Sequence, residues 1–471
     1  MDRIETDICI IGAGSGGLSL AAGAAQMGAR VVLIEAGEMG GDCLNFGCVP
    51  SKSLISAAKH AHGMRSGAAF GVASVEPVID YAAAMGHVRG AIETIAPHDS
   101  QERFEGLGVT VLRDRARFVS ESEVEAGPHR ITARRFVVAT GSRPLVPPID
   151  GLADVPFLTN ETLFEQRERP EHLIIIGGGP IGLEMAQAHR RLGCRVTVIE
   201  AMRALGREDP ELAAIALDRL RAEGIEILED TKVEKVTGSA GDITVHSGEA
   251  AITGTHLLVA AGRSPTTEGL GLDAAGVAFE KTGIKVDDAL RSSNRRVYAI
   301  GDVAGRQQFT HVANYHAGVI ARSILFGLPA KASDSHIPHA TYTDPELAQV
   351  GLTEAEARDR HGDALEVIRF SYDQNDRAIA EGRTTGLVKV MVHKGRPVGA
   401  AIVGPQAGEL IGTWAMILAN GLKMKALTNT VLPYPTLSEV NKRVAGAYFS
   451  PRLFDSPWVK KVVGFIQRHV P

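Results

Sequence analysis

Two cysteines five residues apart are the side chains best suited to chemistry in this chain of 471 residues. They lie in Gly41-Asp42-Cys43-Leu44-Asn45-Phe46-Gly47-Cys48-Val49-Pro50, and only Cys9 and Cys194 accompany them. So few cysteines in so long a chain make no secreted disulfide framework, and their clustering needs a local cause. In an ideal helix, residues five apart rise about 7.5 Å and point about 140° apart, too far for two sulfurs to meet. Gly41 and Gly47 interrupt the stretch, and an irregular turn there can bring the thiols together. Val49-Pro50-Ser51-Lys52-Ser53-Leu54 then opens a helix with proline near its first turn. The helix N-terminus and the Lys52 ammonium both favour a thiolate nearby. A pair of buried structural thiols is the alternative. Cys9, in an apolar strand, and Cys194, beside a helix end, read as packing residues.

Such thiols need elements that hold them and a source of electrons. Ile8 to Ile11 reads as a buried strand, Gly12-Ala13-Gly14-Ser15-Gly16-Gly17 as a turn, and Leu18 to Met27 as a helix. Val31 to Ile34 is a second strand ending at Glu35. This is the dinucleotide fingerprint in its proper setting. Gly12 permits the tight turn, Gly14 lets backbone approach a pyrophosphate, and Gly17 lets the helix pack closely. Amides at the helix start receive the phosphates, and Glu35 can accept from ribose hydroxyls. The unit recurs as the strand Leu173 to Ile176, the glycines Gly177, Gly179 and Gly182, a helix running toward Leu192, and Val196 to Ile199 ending at Glu200. Gly12 and Glu35, and Gly177 and Glu200, are both 23 positions apart. Two dinucleotides, each on its own doubly wound sheet, are expected.

Composition agrees with a soluble globular chain of about three domains. Apolar residues are 44% and charged residues 22%, which excludes wholesale disorder. A net charge of −5 gives no pull toward nucleic acid. The longest apolar runs, such as Leu257 to Ala261, fall far short of the ~18 residues that span a bilayer. No membrane partner is expected, and no basic and apolar leader precedes the first strand, so the expected compartment is the cytoplasm. Between the two glycine turns a long helix is expected over Tyr81 to Phe104, then a strand at Val109 to Leu112 and another at Phe136 to Ala139. From about His336 the pattern changes to strands (Gly386 to His393, Val398 to Val403), a helix near Glu409 to Leu422 and a basic, amphipathic tail.

Gly40-Gly41-Asp42-Cys43 through Cys48-Val49-Pro50-Ser51-Lys52 closely resembles the redox-active segment of the pyridine nucleotide-disulfide oxidoreductases. That family includes dihydrolipoamide dehydrogenase, glutathione reductase and mercuric reductase. The likeness runs along the chain through both glycine turns, Ala139-Thr140-Gly141, Ala261-Gly262-Arg263, Tyr298-Ala299-Ile300-Gly301-Asp302, Tyr342-Thr343-Asp344-Pro345-Glu346 and Pro435-Thr436-Leu437-Ser438-Glu439. It implies an α/β fold with two Rossmann-like dinucleotide-binding domains and a C-terminal α+β dimerisation domain. The implied order is an FAD domain over 1–148, an NAD(P) domain over 149–268, a return to the FAD domain over 269–335, and an interface domain over 336–471.

The resemblance also implies roles. FAD would lie on the first turn, with Glu35 at its adenosine ribose and Asp302 at its ribitol chain. Thr140, Gly141 and backbone near Ala116 would line it. Lys52, paired with Glu184, would lie against the flavin ring. The second turn, with Val233 and Gly262, would hold the nicotinamide cofactor. Cys48 would be the sulfur touching the flavin and Cys43 the one exchanging with substrate, the two alternating between dithiol and disulfide. Glu200 would accept from a free ribose 2′-hydroxyl and repel a 2′-phosphate, which favours NAD, with NADP the alternative through Arg203. No residues are assigned to a resident metal.

One stretch departs from the pattern. Thiol reductases carry His-Pro-Thr-x-x-x-Glu near the C-terminus; here the stretch is Tyr434-Pro435-Thr436-Leu437-Ser438-Glu439. A phenol with a pKa near 10 is a poor base where an imidazole shuttles protons. Mercuric reductases resemble this chain in having tyrosine there, but they also use a C-terminal cysteine pair, and no cysteine follows Cys194. The implied activity is an FAD-dependent, NAD(P)H-linked dithiol/disulfide oxidoreductase of the dihydrolipoamide dehydrogenase line, acting as a homodimer in which Tyr434 and Glu439 complete the partner's disulfide site. A soft metal-ion reductase and a slow, redox-sensing flavoprotein subunit are the alternatives.

Overall fold

The computed structural model describes residues 1–470. It divides into two compact units, one comprising Met1–Ala201 with Glu226–Ser333 and the other Met202–Ile225 with the residues from Asp334 onward.

The first unit is organised around two large sheets, with three smaller antiparallel ones beside them. In the larger, parallel strands run in the order Thr110–Leu112, Val31–Ile34, Asp2–Ile11, His129–Val138 and Val297–Ala299. The long His129–Val138 strand also pairs, over its first half, with an antiparallel ribbon of Glu123–Ala126 and Ala116–Ser120. Period-two alternation divides the apolar residues between two layers. Ile8, Ile10 and Leu33 pack on the glycine-turn helix Ser15–Gln26 and on Thr310–Phe326. Cys9, Ile11, Val32 and Ile34 face Phe118, Val124 and Phe136 on the other side. Strands covered on both faces must be apolar throughout, as Val31-Val32-Leu33-Ile34 is. The second sheet repeats the plan with parallel strands Glu226–Leu228, Arg195–Ile199, His172–Ile176 and His256–Val259. A three-stranded antiparallel sheet, Lys235–Ser239, Asp242–Ser247 and Ala250–Gly254, shares its core.

The second unit is built on five antiparallel strands in the order Pro338–Thr341, Glu346–Gly351, Arg396–Gly404, Leu387–His393 and Leu365–Ser371. Val388, Val390 and Ile402 pack with Leu410, Ile411 and Trp414 of helix Ala407–Ala419 and with Val440 and Val444 of helix Glu439–Phe454. The buried indole of Trp414 donates to Asn441 Oδ1 at 2.8 Å, so the polar atom inside this core is satisfied.

One expected element is different. The stretch from Tyr81 is not a single helix to Phe104 but a helix Tyr81–Ile95, a 3₁₀ turn Ala96–Asp99 and a short helix Gln101–Gly106. Pro97 cannot supply the amide that an uninterrupted helix needs. Ser100 then restarts the helix by accepting from Arg103 N.

Candidate active site

Cys43 and Cys48 sit on two successive helices rather than one. Cys43 lies within Gly41–Asn45, the chain breaks at Phe46 and Gly47, and Cys48 is the first residue of Cys48–Arg65. A Cβ at Gly47 would lie 3.0 Å from both Asp42 O and Asp42 Oδ2, a tight fit that favours glycine at the break. Two amides secure it: Asn45 Nδ2 donates to Met39 O (3.0 Å) and Gly41 O (2.9 Å), and Asn160 Nδ2 to Asp42 Oδ1 (3.0 Å) and Phe46 O (3.1 Å). The turn brings the two sulfurs, both free thiols, into mutual hydrogen-bond contact.

The two sulfurs are not equivalent. Cys48 is drawn down to about 6 by the hydrogen bond from Cys43, with help from the Thr310 hydroxyl at 3.3 Å and the Lys52 ammonium, against burial and the Asp42 carboxylate. Cys43 is pushed up, first because its proton is shared with Cys48 and next by burial. The pair therefore carries one thiolate near neutrality, and its position at a helix N-terminus acts in the same direction. Cys9 and Cys194 are fully buried, and burial pushes both thiols up, as suits packing residues.

Lys52 lies one turn beyond Cys48, and its Nζ is 2.8 Å from Glu184 Oε2. Glu184 is itself buried, on the helix Pro180–Arg191 that follows the second glycine turn. The ion pair thus joins the redox helix to the second turn's helix. Arg263, just after Gly262, reaches the other side of the same loop: its Nη2 is 3.1 Å from Asp42 Oδ1, and its Nε donates to Ser142 Oγ at 2.7 Å. The Ser142 hydroxyl donates to Asp302, whose carboxyl burial pushes up while Ser142 and Arg263 pull it down. Nothing local in the sequence marks Thr310, Asn160 or Arg263 as partners of the cysteine loop. They arrive from distant strands and helix ends.

The two glycine turns are near copies in space. A Cβ on Gly12 would lie 2.4 Å from Ala139 O, and one on Gly177 2.4 Å from Ala260 O; on Gly17 it would meet Gly12 O at 1.9 Å, and on Gly182 Gly177 O at 2.0 Å. Gly14 and Gly179 have no atom within 4 Å of that position, which leaves each helix start open to a ligand. Each turn is followed by an uncapped helix. Glu35 accepts from Ala13 N and Gly37 N, both at 2.6 Å, and Glu200 accepts from Gly178 N at 2.7 Å. Open amides at a helix start, glycines where any side chain would clash, and an acid at the end of the second strand fit a dinucleotide at both places. Thr140 donates to Thr266 O at 2.7 Å and Gly141 takes a left-handed φ of 64°, beside the first turn's strand ends. Ala116 begins its ribbon strand with its side chain in the core, Val233 is buried in the second sheet's core, and Gly262 has φ 125°.

In the second unit, Tyr434 is exposed and its hydroxyl donates to Asp376 Oδ2 at 2.9 Å. That acceptor and its charge push the phenol's pKa up further. Glu439 opens the helix Glu439–Phe454.

Comparison with known proteins agrees with this geometry. The family described as pyridine nucleotide-disulphide oxidoreductase matches residues 6–317, and its dimerisation domain matches residues 337–445. A mercuric reductase of Acidithiobacillus ferrooxidans is 36% identical over 95% of this chain and 83% of its own length. A dihydrolipoyl dehydrogenase of Thermus scotoductus is 36% identical over 92% of this chain and 95% of its own. The flavoprotein disulfide reductase RclA of Escherichia coli, solved as a Cu(II) complex, superposes with a TM-score of 0.84 at 29% identity, covering 93% of this chain and 99% of its own. When bound, FAD supplies a two-electron relay between the nicotinamide and the cysteine pair. A thiol pair poised with one thiolate, two dinucleotide turns and these matches together assign the chain to the pyridine nucleotide-disulphide oxidoreductases, FAD-dependent enzymes that work with NAD(P)H.

Proposed function

We propose that this enzyme uses NADH to reduce a soft, thiophilic metal ion of the mercury or copper class, bound as substrate by Cys43 and Cys48. The observation that carries this reading is Tyr434, a phenol held protonated by Asp376 where thiol reductases carry a histidine. Turnover of a dithiol or disulfide substrate needs a base that takes and returns a thiol proton near neutral pH, worth about 10²–10⁴ in rate. A metal ion brings no such proton, and soft ions prefer sulfur ligands. The balance is simple. A hydride equivalent from NADH opens the Cys43–Cys48 disulfide to one thiol and one thiolate; two electrons from that pair take Hg(II) to Hg(0), or two Cu(II) to two Cu(I), and close the disulfide with release of one proton. Glu200, at the second turn's ribose position, favours NADH over NADPH.

A second reading, a disulfide or dithiol substrate of the lipoamide kind, is favoured by the 36% identity to a dihydrolipoyl dehydrogenase. Steady-state NADH oxidation by the FAD-loaded protein separates the two. Hg(II) or Cu(II) should support turnover well above oxidised lipoamide, and Tyr434→His should raise the lipoamide rate about tenfold or more. Lipoamide turnover equal to or faster than metal reduction in the parent enzyme would overturn the metal reading.

In this reading the enzyme is a cytoplasmic homodimer, with FAD on 1–148 and 269–335, the nicotinamide on 149–268 and the interface in 336–471. Ile379, Met416, Val431 and Tyr434 expose apolar surface on the dimerisation unit, which a twofold partner would cover. Tyr434 and Glu439 of one subunit would then border the cysteine pair of the other.

A further inference from the structure

The last helix, Pro457–His469, has no buried residue. Trp458 is 71% exposed, Phe465 61%, Val463 50% and Ile466 42%. At about 100° per residue, Trp458, Val459, Val462, Val463, Phe465 and Ile466 fall within one arc of about 160°. Lys460, Lys461 and Arg468 lie on the opposite side, and the helix contains no aspartate or glutamate. Ser456 caps it by accepting from Val459 N. A helix this short is marginal in water by itself, so its apolar stripe calls for a covering surface.

We propose that this helix lies in the surface of an anionic lipid bilayer, with the Trp458/Phe465/Ile466 stripe at the headgroup–acyl boundary and Lys460, Lys461 and Arg468 against lipid phosphates. A wide apolar face, a purely cationic opposite face and an indole are the features of a helix in that plane. The rest of the chain is acidic enough to give a net charge of −5, so an anionic surface attracts this end and repels the remainder. Self-pairing through the stripe would leave Lys460, Lys461 and Arg468 pointing outward with no acid on the helix to compensate them, whereas an anionic bilayer supplies that counter-charge. The helix does not span: none among the described residues is long and apolar enough to cross a membrane. A helix that lies in the interface needs no run of spanning length.

The chain carries its own reporter, because one of its two tryptophans, Trp414, is fully buried and the other is Trp458. FAD-loaded full-length protein is mixed with vesicles of phosphatidylcholine alone, or of phosphatidylcholine with phosphatidylglycerol, and followed by co-sedimentation and tryptophan emission. Expected are binding to the anionic vesicles only, release by salt and a blue shift of Trp458. The Lys460→Gln/Lys461→Gln/Arg468→Gln variant should lose about a hundredfold in partition coefficient. Trp458→Ser/Phe465→Ser should lose at least as much, both with unchanged FAD content and NADH oxidation. Failure of the parent to bind anionic vesicles, or undiminished binding by either variant, overturns the proposal. A parent that ignores vesicles, with a Trp458→Ser/Phe465→Ser variant that dissociates in sedimentation velocity, assigns the stripe to a subunit contact and likewise overturns it.

Discussion

For single side chains, the chemistry turns on where one proton sits between two sulfurs. Cys43 holds it and Cys48 is the thiolate, stabilised by the Cys43 thiol, the Thr310 hydroxyl and the Lys52 charge. Each of these favours the ionised form, so removing any of them raises the pKa of Cys48. Alkylation of the reduced protein by iodoacetamide should therefore rise with pH through a midpoint near 6, and Thr310→Val or Lys52→Met should move that midpoint upward. A midpoint near 9, the ordinary thiol value, would show that no proton is shared. Tyr434 lies at the other extreme: its hydroxyl donates to Asp376, and that carboxylate keeps the phenol neutral.

Among the secondary-structure elements, the two glycine turns make a paired test. Alanine at Gly17 would put its Cβ 1.9 Å from Gly12 O, and alanine at Gly182 would put it 2.0 Å from Gly177 O. The clashes are alike, and the ligands are not. Gly17→Ala should yield protein that purifies without yellow colour. Gly182→Ala should keep its FAD and raise the KM for NADH about tenfold or more. Loss of FAD from the second variant but not the first would reverse the assignment of the turns.

The antiparallel sheet of the second unit carries a buried ion-pair network. Lys389, on the face opposite Val388 and Val390, is 3% exposed, and its Nζ lies 2.8 Å from Asp209 Oδ2 and 2.9 Å from Glu211 Oε2. Glu354 and Arg369 complete the network, which fastens helix Pro210–Ala222 to the sheet. Removing one member of a buried pair strands the other, at a cost of about 3–5 kcal/mol. Lys389→Met should lower the thermal midpoint accordingly. Adding Asp209→Asn, which can still cap Glu211 N, should recover part of the loss. Arg369 and Lys389 hold Glu211 down to about 2. Its folded-state pKa is depressed, so this contribution is complete above the unfolded value of 4.5 and is lost as pH falls through about 2.

For the molecule as a whole, the dimerisation unit matters because it presents apolar side chains that a single chain leaves uncovered. Val431 is 88% exposed and Met416 56%. Light scattering of the FAD-loaded protein should give twice the 49.9 kDa chain mass. Val431→Glu should shift the equilibrium toward single chains with FAD retained, since the side chain supports no core of its own. A single-chain mass at micromolar concentration would remove the interface from the proposed reaction and, with it, the placing of Tyr434 beside the partner's cysteines.

What could be read from the sequence was local. Both strand–glycine–helix units, the spacing to Glu35 and Glu200, and the cysteine loop with its glycine breaks are contained in short windows, where turn sterics and side-chain alternation decide the outcome. The helix expected from Tyr81 failed at Pro97, where a missing amide outweighed helix-forming neighbours. What the tertiary structure alone decided was long-range: Thr310, 262 residues from Cys48, Asn160 and Arg263 on Asp42, and Lys389 among three carboxylates. No residue's own neighbourhood in sequence carries such pairings, because burial creates them: a charge or thiol taken out of water must find a partner, and the fold determines which one is within reach.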